Sequence, residues 1–210
     1  MNIGKLRDLE SEFYDQYPKG FKDERLLCLL KKFNPEKLEE VAKNYFQKEN
    51  FSQPQLICEG FMKVISRSPM VSLFDKAKLR DALKSMDIYQ KDMLSIELYE
   101  LIYGNKKNGF NGLVEFLKEY NLAKWTLVTL IPYALKRKKE YFIKPTTTKM
   151  IINFLELENL IYKPKPSYEF YKSYSKVLSV LKKDLKKPVL LDNAAFTGFL
   201  KMGIEICEED

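Results

Sequence analysis

The densest run of chemistry-bearing side chains is Lys136-Arg137-Lys138-Lys139, four consecutive cations. Lys144 and Lys149 follow, bracketing Pro145 and three threonines; Lys163 and Lys165 alternate with prolines, and Lys172 and Lys176 stand one helical turn apart. Ammonium groups so spaced neutralise phosphates and release counterions, while interleaved rings can stack on bases. Those rings are Tyr141, Phe142, Tyr162, Tyr168, Phe170, Tyr171 and Tyr174. The expected activity is therefore binding of nucleic acid or another polyanion through residues 136–187. Of the 36 basic residues 31 are lysine and 5 arginine, so the expected binding is salt-sensitive and weak in sequence preference, because bidentate base readout favours arginine. A plain solvated surface, an acidic protein partner and a protein-interaction module using exposed aromatics such as Tyr168, Tyr171 and Tyr174 are the rival readings.

Charge is unevenly spread along the 210 residues. Residues 136–187 hold 14 basic and 5 acidic side chains, against 21 and 19 in residues 1–135 and 1 and 5 in residues 188–210. The net +7 thus conceals a basic segment and an acidic tail. That tail, Glu205, Glu208, Glu209 and Asp210, is read as a frayed helix end or as a mask over the basic segment.

Two further runs stand out. Lys144-Pro145-Thr146-Thr147-Thr148-Lys149 offers hydroxyls and helix N-terminal amides near two lysines, which makes either an anion seat or an ordinary threonine cap. Asp192-Asn193-Ala194-Ala195-Phe196-Thr197-Gly198-Phe199 is rich in small residues, a pattern that lets two helices approach closely. Acidic pairs such as Glu39-Glu40 and Glu97 with Glu100 read as helix-surface charges.

Much chemistry is excluded. With no histidine there is no Ser-His-Asp or Cys-His nucleophile, no imidazole shuttle and no histidine metal ligand. Cys28, Cys58 and Cys207 form no CxxC pair and read as buried thiols, and no glycine-rich phosphate loop is present. No metal, no cofactor and no catalytic residue is expected, and the balance leans against an enzyme. No stretch reaches the ~18 apolar residues of a membrane span, and the opening residues carry no signal-peptide pattern, so cytoplasm is expected.

The elements that must position these groups are helices. Apolar residues recur at helical spacing almost throughout, as in Leu6, Leu9, Phe13 and Tyr17. Asn34-Pro35-Glu36, Ser167 and Asp192 are helix starts, and Lys163-Pro164-Lys165-Pro166 must be extended. Residues 122–135 predict a helix with a strand as alternative, and Tyr141-Phe142-Ile143 predicts an extended piece. The expected fold is all-α: an irregular array of about ten helices, one domain over 1–210, with a possible soft subdivision at the polar loop 104–109.

Residues 123–158, from Ala123-Lys124-Trp125-Thr126 through Phe142-Ile143-Lys144-Pro145-Thr146-Thr147 to Leu155, resemble part of the helix-hairpin-helix DNA glycosylases. The resemblance lies in an apolar helix, a short extended segment and a second helix. The hairpin glycines are absent and Lys144 stands where that family carries its catalytic aspartate, so the resemblance implies a degenerate DNA-binding relative. More broadly, the chain resembles bacterial all-helical proteins without an enzyme motif.

Overall fold

The helix starts are set by short polar side chains that take up the first free amides. Asn2 accepts from Lys5 N–H, Asn34 from Lys37, Ser72 from Asp75, Asn105 from Asn108, Ser167 from Phe170 and Asp192 from Ala195. At Asp87 the cap is reciprocal: its carboxylate accepts from Gln90 N–H at 2.8 Å, and Gln90 Oε1 accepts from Asp87 N–H at 3.0 Å.

The computed structural model describes residues 1–187 and 192–209, with the side chains of residues 28–30 left aside. Among the described residues eleven α-helices follow one another. They are α1 (Ile3–Gln16), α2 (Glu24–Phe33), α3 (Pro35–Tyr45), α4 (Pro54–Arg67), α5 (Leu73–Ser85) and α6 (Ile88–Ile102). The remainder are α7 (Lys106–Glu119), α8 (Trp125–Leu135), α9 (Pro145–Phe154), α10 (Tyr168–Asp184) and α11 (Asn193–Glu209). Two 3-10 turns, Gly20–Lys22 and Lys48–Ser52, complete the regular structure, and no strand is present among these residues. The fold is an all-α multi-helix array. No helix among the described residues is long and apolar enough to cross a membrane.

Residues 122–135 resolve as helix, and the composition of α8 explains its place. Leu127, Val128, Leu130, Ile131 and Ala134 are all buried, so the helix is apolar all round and lies at the centre. Tyr141-Phe142-Ile143 is non-helical and buried, and docks on it. Thr129 Oγ1 donates to Trp125 O at 2.7 Å and accepts from Ile143 N–H at 3.1 Å, which satisfies a buried amide that no ladder serves. Trp125 Nε1 donates to Lys163 O at 2.9 Å and pins the proline-rich segment to the same helix.

Helix pairing surrounds this centre. The pair α6 and α7 is the most closely packed, with α4 against α6, α3 against α4 and α8, α9 against α11, and α1 against α11. The polar stretch 104–109, expected to be loop, is helical from Lys106 onward. Gly109 sits where a Cβ would fall 2.1 Å from Leu101 N, so it is the glycine that lets α6 and α7 touch. Gly203 does the same for the first and last helices: a Cβ there would lie 2.5 Å from Leu9 Cγ. Glu10 ties α1 to the chain just beyond α10, its buried carboxylate accepting from the N–H groups of Lys186 and Lys187 at 3.1 and 2.6 Å and from Arg7 at 3.1 Å.

Candidate functional site

The end of α8, the first turn of α9 and the first turns of α11 converge on a cavity of about 570 Å³. Leu26 and Phe33 of α2, Phe21, Met70, Phe142 and Met202 supply apolar wall, and Tyr133 and Tyr174 supply rings with a polar tip. A volume of this size, mostly apolar with a few convergent polar groups, is that of a site for a small organic ligand.

The space exists because α11 is thin on this side. Ala194, Ala195 and Gly198 line it, and a Cβ built at Gly198 meets nothing within 4 Å. The small residues of the Asp192–Phe199 run were expected to bring helices together. At Gly198 they do the opposite, and leave room.

Six charged side chains line the cavity: Arg137, Lys138, Lys144 and Lys201 against Glu36 and Asp192. Both carboxylates belong to Arg137. Its guanidinium meets Asp192 Oδ2 at 2.8 Å, Glu39 Oε2 at 2.6 Å and Glu36 Oε1 at 3.6 Å, with its side chain only 17% exposed. Burial works against the cation, but the bonds to Glu39 and Asp192 outweigh it and hold the charge firmly. Lys43 and Arg137 together hold Glu39 below the usual carboxylate range. Tyr133 donates to Asp192 at 3.0 Å, and burial together with that carboxylate keeps its phenol protonated well above the usual range. Lys201 is paired with Glu205. Lys138 and Lys144 have no ion pair among the described residues, so the rim carries unneutralised positive charge. Among those residues no group of three Cys, Asp or Glu side chains is arranged to hold a metal ion.

The two helix N-termini at the cavity differ. α11 is closed by Asp192, which accepts from Ala195 N–H at 2.9 Å. α9 starts at Pro145 with no side-chain cap; Thr148 N–H goes to Lys144 O, leaving the amides of Thr146 and Thr147 as its open donors. Thr147 and Thr148 line the cavity just inside. Tyr174 of α10 is 1% exposed, and its enclosed hydroxyl interacts with the Thr148 side chain without a fully formed hydrogen bond among the described residues. Burial raises that phenol's pKa, so it is a proton donor.

The sequence-predicted cations are distributed as follows. Lys136, Lys138 and Lys139 are exposed around the turn after α8, and Lys144 is exposed at the start of α9. Lys149 is exposed on α9 with its ammonium 6.0 Å from the Tyr162 ring. Lys163 is exposed on the proline-rich segment, Lys165 is paired with Glu115 at 2.6 Å, and Lys172 and Lys176 are exposed on α10. Arg137 is the exception: three carboxylates occupy it, so it is not a free phosphate contact. Lys187 lies beyond the end of α10, over the Tyr14 ring at 4.4 Å.

The aromatic expectation is corrected as well. Tyr141, Phe142, Tyr171 and Tyr174 are buried, and Tyr162, Tyr168 and Phe170 are half-buried against Trp125, Phe110 and one another. The inner face of α10 reads Tyr171, Tyr174, Leu178, Leu181, so its rings turn inward while its lysines turn out. They are core, not a stacking platform. Among the described residues the most exposed rings and aliphatics lie elsewhere, at Leu73, Phe74, Ile88, Tyr89 and Ile161. The acidic end is helical through Glu209, and Asp210 lies outside the described residues.

Sequence reasoning located the Thr146–Thr148 run and the Asp192–Gly198 run separately and missed that they share one cavity. It missed Tyr133 altogether, and it named Tyr174, Glu36 and Gly198 only as an interleaved ring, a helix-start acid and a close-packing residue. The partners of Arg137 are 98 and 55 residues away, so no local pattern announces them. Comparison with protein-family models, curated proteins and solved structures returned no significant match.

Proposed function

We propose that this chain is a binding protein whose cavity between α2, α8, α9 and α11 takes a small amphipathic ligand. The carrying observation is a space of about 570 Å³ with apolar walls, kept open by Gly198 and rimmed by two cations that no carboxylate among the described residues neutralises. The test is saturable one-to-one binding of an anionic naphthalene fluorophore, followed by emission. Gly198→Phe projects a ring into the space and should abolish it. Equal binding by wild type and Gly198→Phe would refute the assignment of the ligand to this cavity.

A second reading rests on the exposed lysines. Lys136, Lys138 and Lys139 lie within one turn of the chain, with Lys144 nearby in sequence, and none has an ion-pair partner among the described residues. These groups suit a polyanion, including nucleic acid, the class named by the glycosylase resemblance of residues 123–158. Retention on heparin at low salt should be lost in the triple variant Lys136→Glu, Lys138→Glu, Lys139→Glu, with Arg137 left in place because its role is internal. Unchanged retention in that variant would remove these lysines from the site.

A further inference from the structure

We infer that the cavity takes one acyl chain of an anionic membrane lipid, with the protein docked on the bilayer surface by the lysines around the cavity mouth. The inference rests on the cavity being the binding site and adds the class of its ligand and where that ligand comes from.

Four of the side chains that line the cavity are also exposed, and so mark its mouth: Phe33, Glu36, Lys138 and Lys144. More cations stand within two residues of these. Lys136 and Lys139 are exposed beside Lys138, and Lys31 and Lys32 are exposed immediately before Phe33. None of these six lysines has an ion-pair partner among the described residues. Glu36, Glu39 and Asp192 share Arg137 and Lys43, so one uncompensated negative charge faces six ammonium groups. α2 carries part of this pattern by itself. Asp23, paired with Arg25, and Glu24 stand where it starts, and its lysines stand at its far end. Leu26 and Phe33 line the cavity, while Leu27, 40% exposed, lies one turn before Lys31 on another side. A helix with leucine and phenylalanine among lysines, packed chiefly on the 3-10 turn before it, suits a lipid–water interface.

The number of cations selects the source. The single head group of a dissolved amphiphile cannot reach six ammonium groups on α2, the 136–139 turn and the start of α9, whereas an anionic bilayer surface meets them together. The space behind the mouth selects the partner class. A nucleic acid offers phosphates to the lysines but no aliphatic chain for an apolar cavity, and the rings of α10 suited to base stacking are turned inward. Leu26, Phe142, Met202 and the bare backbone of Gly198 offer only dispersion contacts, and Asp192 is already held by Arg137. An alkyl chain therefore displaces water from these walls without stranding a charge.

The experiment sediments the full chain with vesicles of phosphatidylcholine, with or without phosphatidylglycerol. Binding to the anionic vesicles should be roughly tenfold or more tighter than to phosphatidylcholine alone, and should weaken as salt rises. The exposed double variant Lys138→Gln, Lys144→Gln should bind the anionic vesicles about tenfold more weakly than wild type. Chain uptake is read separately. Donor vesicles hold a phosphatidylglycerol with a pyrene-labelled chain beside a non-exchanging quencher, and wild type should relieve the quenching to a plateau of one lipid per protein. Compared at equal amounts of vesicle-bound protein, Gly198→Phe should relieve none. Equal binding to both vesicle types, sedimentation unmoved in the double variant, or uptake by Gly198→Phe equal to wild type would each overturn the inference, while binding of the naphthalene fluorophore keeps the cavity assignment. A DNA duplex that binds more tightly than anionic vesicles at equal phosphate would overturn the lipid surface as the partner. Failure of wild type to take up either the fluorophore or the pyrene chain would overturn the cavity assignment and this inference together.

Discussion

Replacing Gly198 by alanine should raise the melting temperature, against the usual sign for a substitution facing the interior. Glycine inside a helix is less favourable than alanine by about 1 kcal/mol, because the unfolded chain has more backbone freedom to lose. Gly198 is the sixth residue of α11, and a Cβ built on it meets no atom within 4 Å, so nothing offsets the gain. For a chain of 210 residues about 1 kcal/mol corresponds to roughly 2–4 °C. Two other glycines provide controls with the same propensity gain. At Gly203 the new carbon would lie 2.5 Å from Leu9 Cγ, and at Gly109 it would lie 2.1 Å from the backbone nitrogen of Leu101. Overpacking of this kind costs about 1–3 kcal/mol, so Gly203→Ala and Gly109→Ala should both melt lower than wild type. Differential scanning calorimetry on the three variants reads the contrast directly. A lowered melting temperature for Gly198→Ala would refute the claim that α11 borders open space, and the cavity would lose its wall.

Arg137→Met should cost roughly 3 kcal/mol at pH 7, because it leaves Asp192 buried without its cation and Glu39 with Lys43 alone. Glu39 has a lowered folded pKa, so its stabilisation is complete above the ordinary carboxylate range and fades as pH falls through the lowered value. Urea melts should therefore show the gap between wild type and Arg137→Met narrowing from pH 7 towards pH 3; a constant gap would exclude the charge cluster as its cause. Tyr174→Phe should change stability by no more than about 1 kcal/mol, since it keeps the ring and deletes an enclosed hydroxyl that makes no fully formed hydrogen bond among the described residues. A loss above about 1 kcal/mol by urea titration would mean the hydroxyl has a partner. Burial pushes the Cys58 thiol up to about 11, so site-resolved alkylation at pH 8 should be roughly a hundredfold slower in the native protein than in urea. Comparable rates would show that Cys58 is accessible.

Local rules carried the fold a long way. Asn34-Pro35-Glu36, Ser167 and Asp192 start helices because a short side chain within reach of the third amide is a property of four consecutive residues. Lys163-Pro164-Lys165-Pro166 is not helical because proline forbids helix, but it bends at Pro164 and Lys165 where an extended piece was expected. The start of α7 was hidden for the opposite reason. Asn105, Asn108 and Gly109 have turn chemistry, and the Asn105 cap together with close contact to Leu101 of α6 makes helix the better state. At the candidate site the shortfall is larger. Lysine and tyrosine alternate along α10 in a way that suits base stacking and amphipathic packing equally, and burial of Tyr171 and Tyr174 decides for packing. The arginine inside a basic run looked like its neighbours, yet contacts to Glu39 and Asp192 turned it from a surface charge into an internal tie. Gly198 and Gly203 lie five residues apart on one helix; one leaves space and the other removes it, a difference that belongs to what faces them.

The pairing of α1 with α11 sets an order of events during synthesis. Leu6, Leu9 and Phe13 leave the ribosome early, but the surface that covers them, including Gly203 and Phe199, comes almost last. At about 5–20 residues per second the interval is roughly 10–40 s. Through that time the nascent chain carries an apolar strip with no native cover, along with a half-built trough lacking its α11 wall. Chaperone engagement of the translating chain should therefore persist until α11 emerges, and a stop codon placed before Asn193 should yield a product that binds holdases and fails to melt cooperatively.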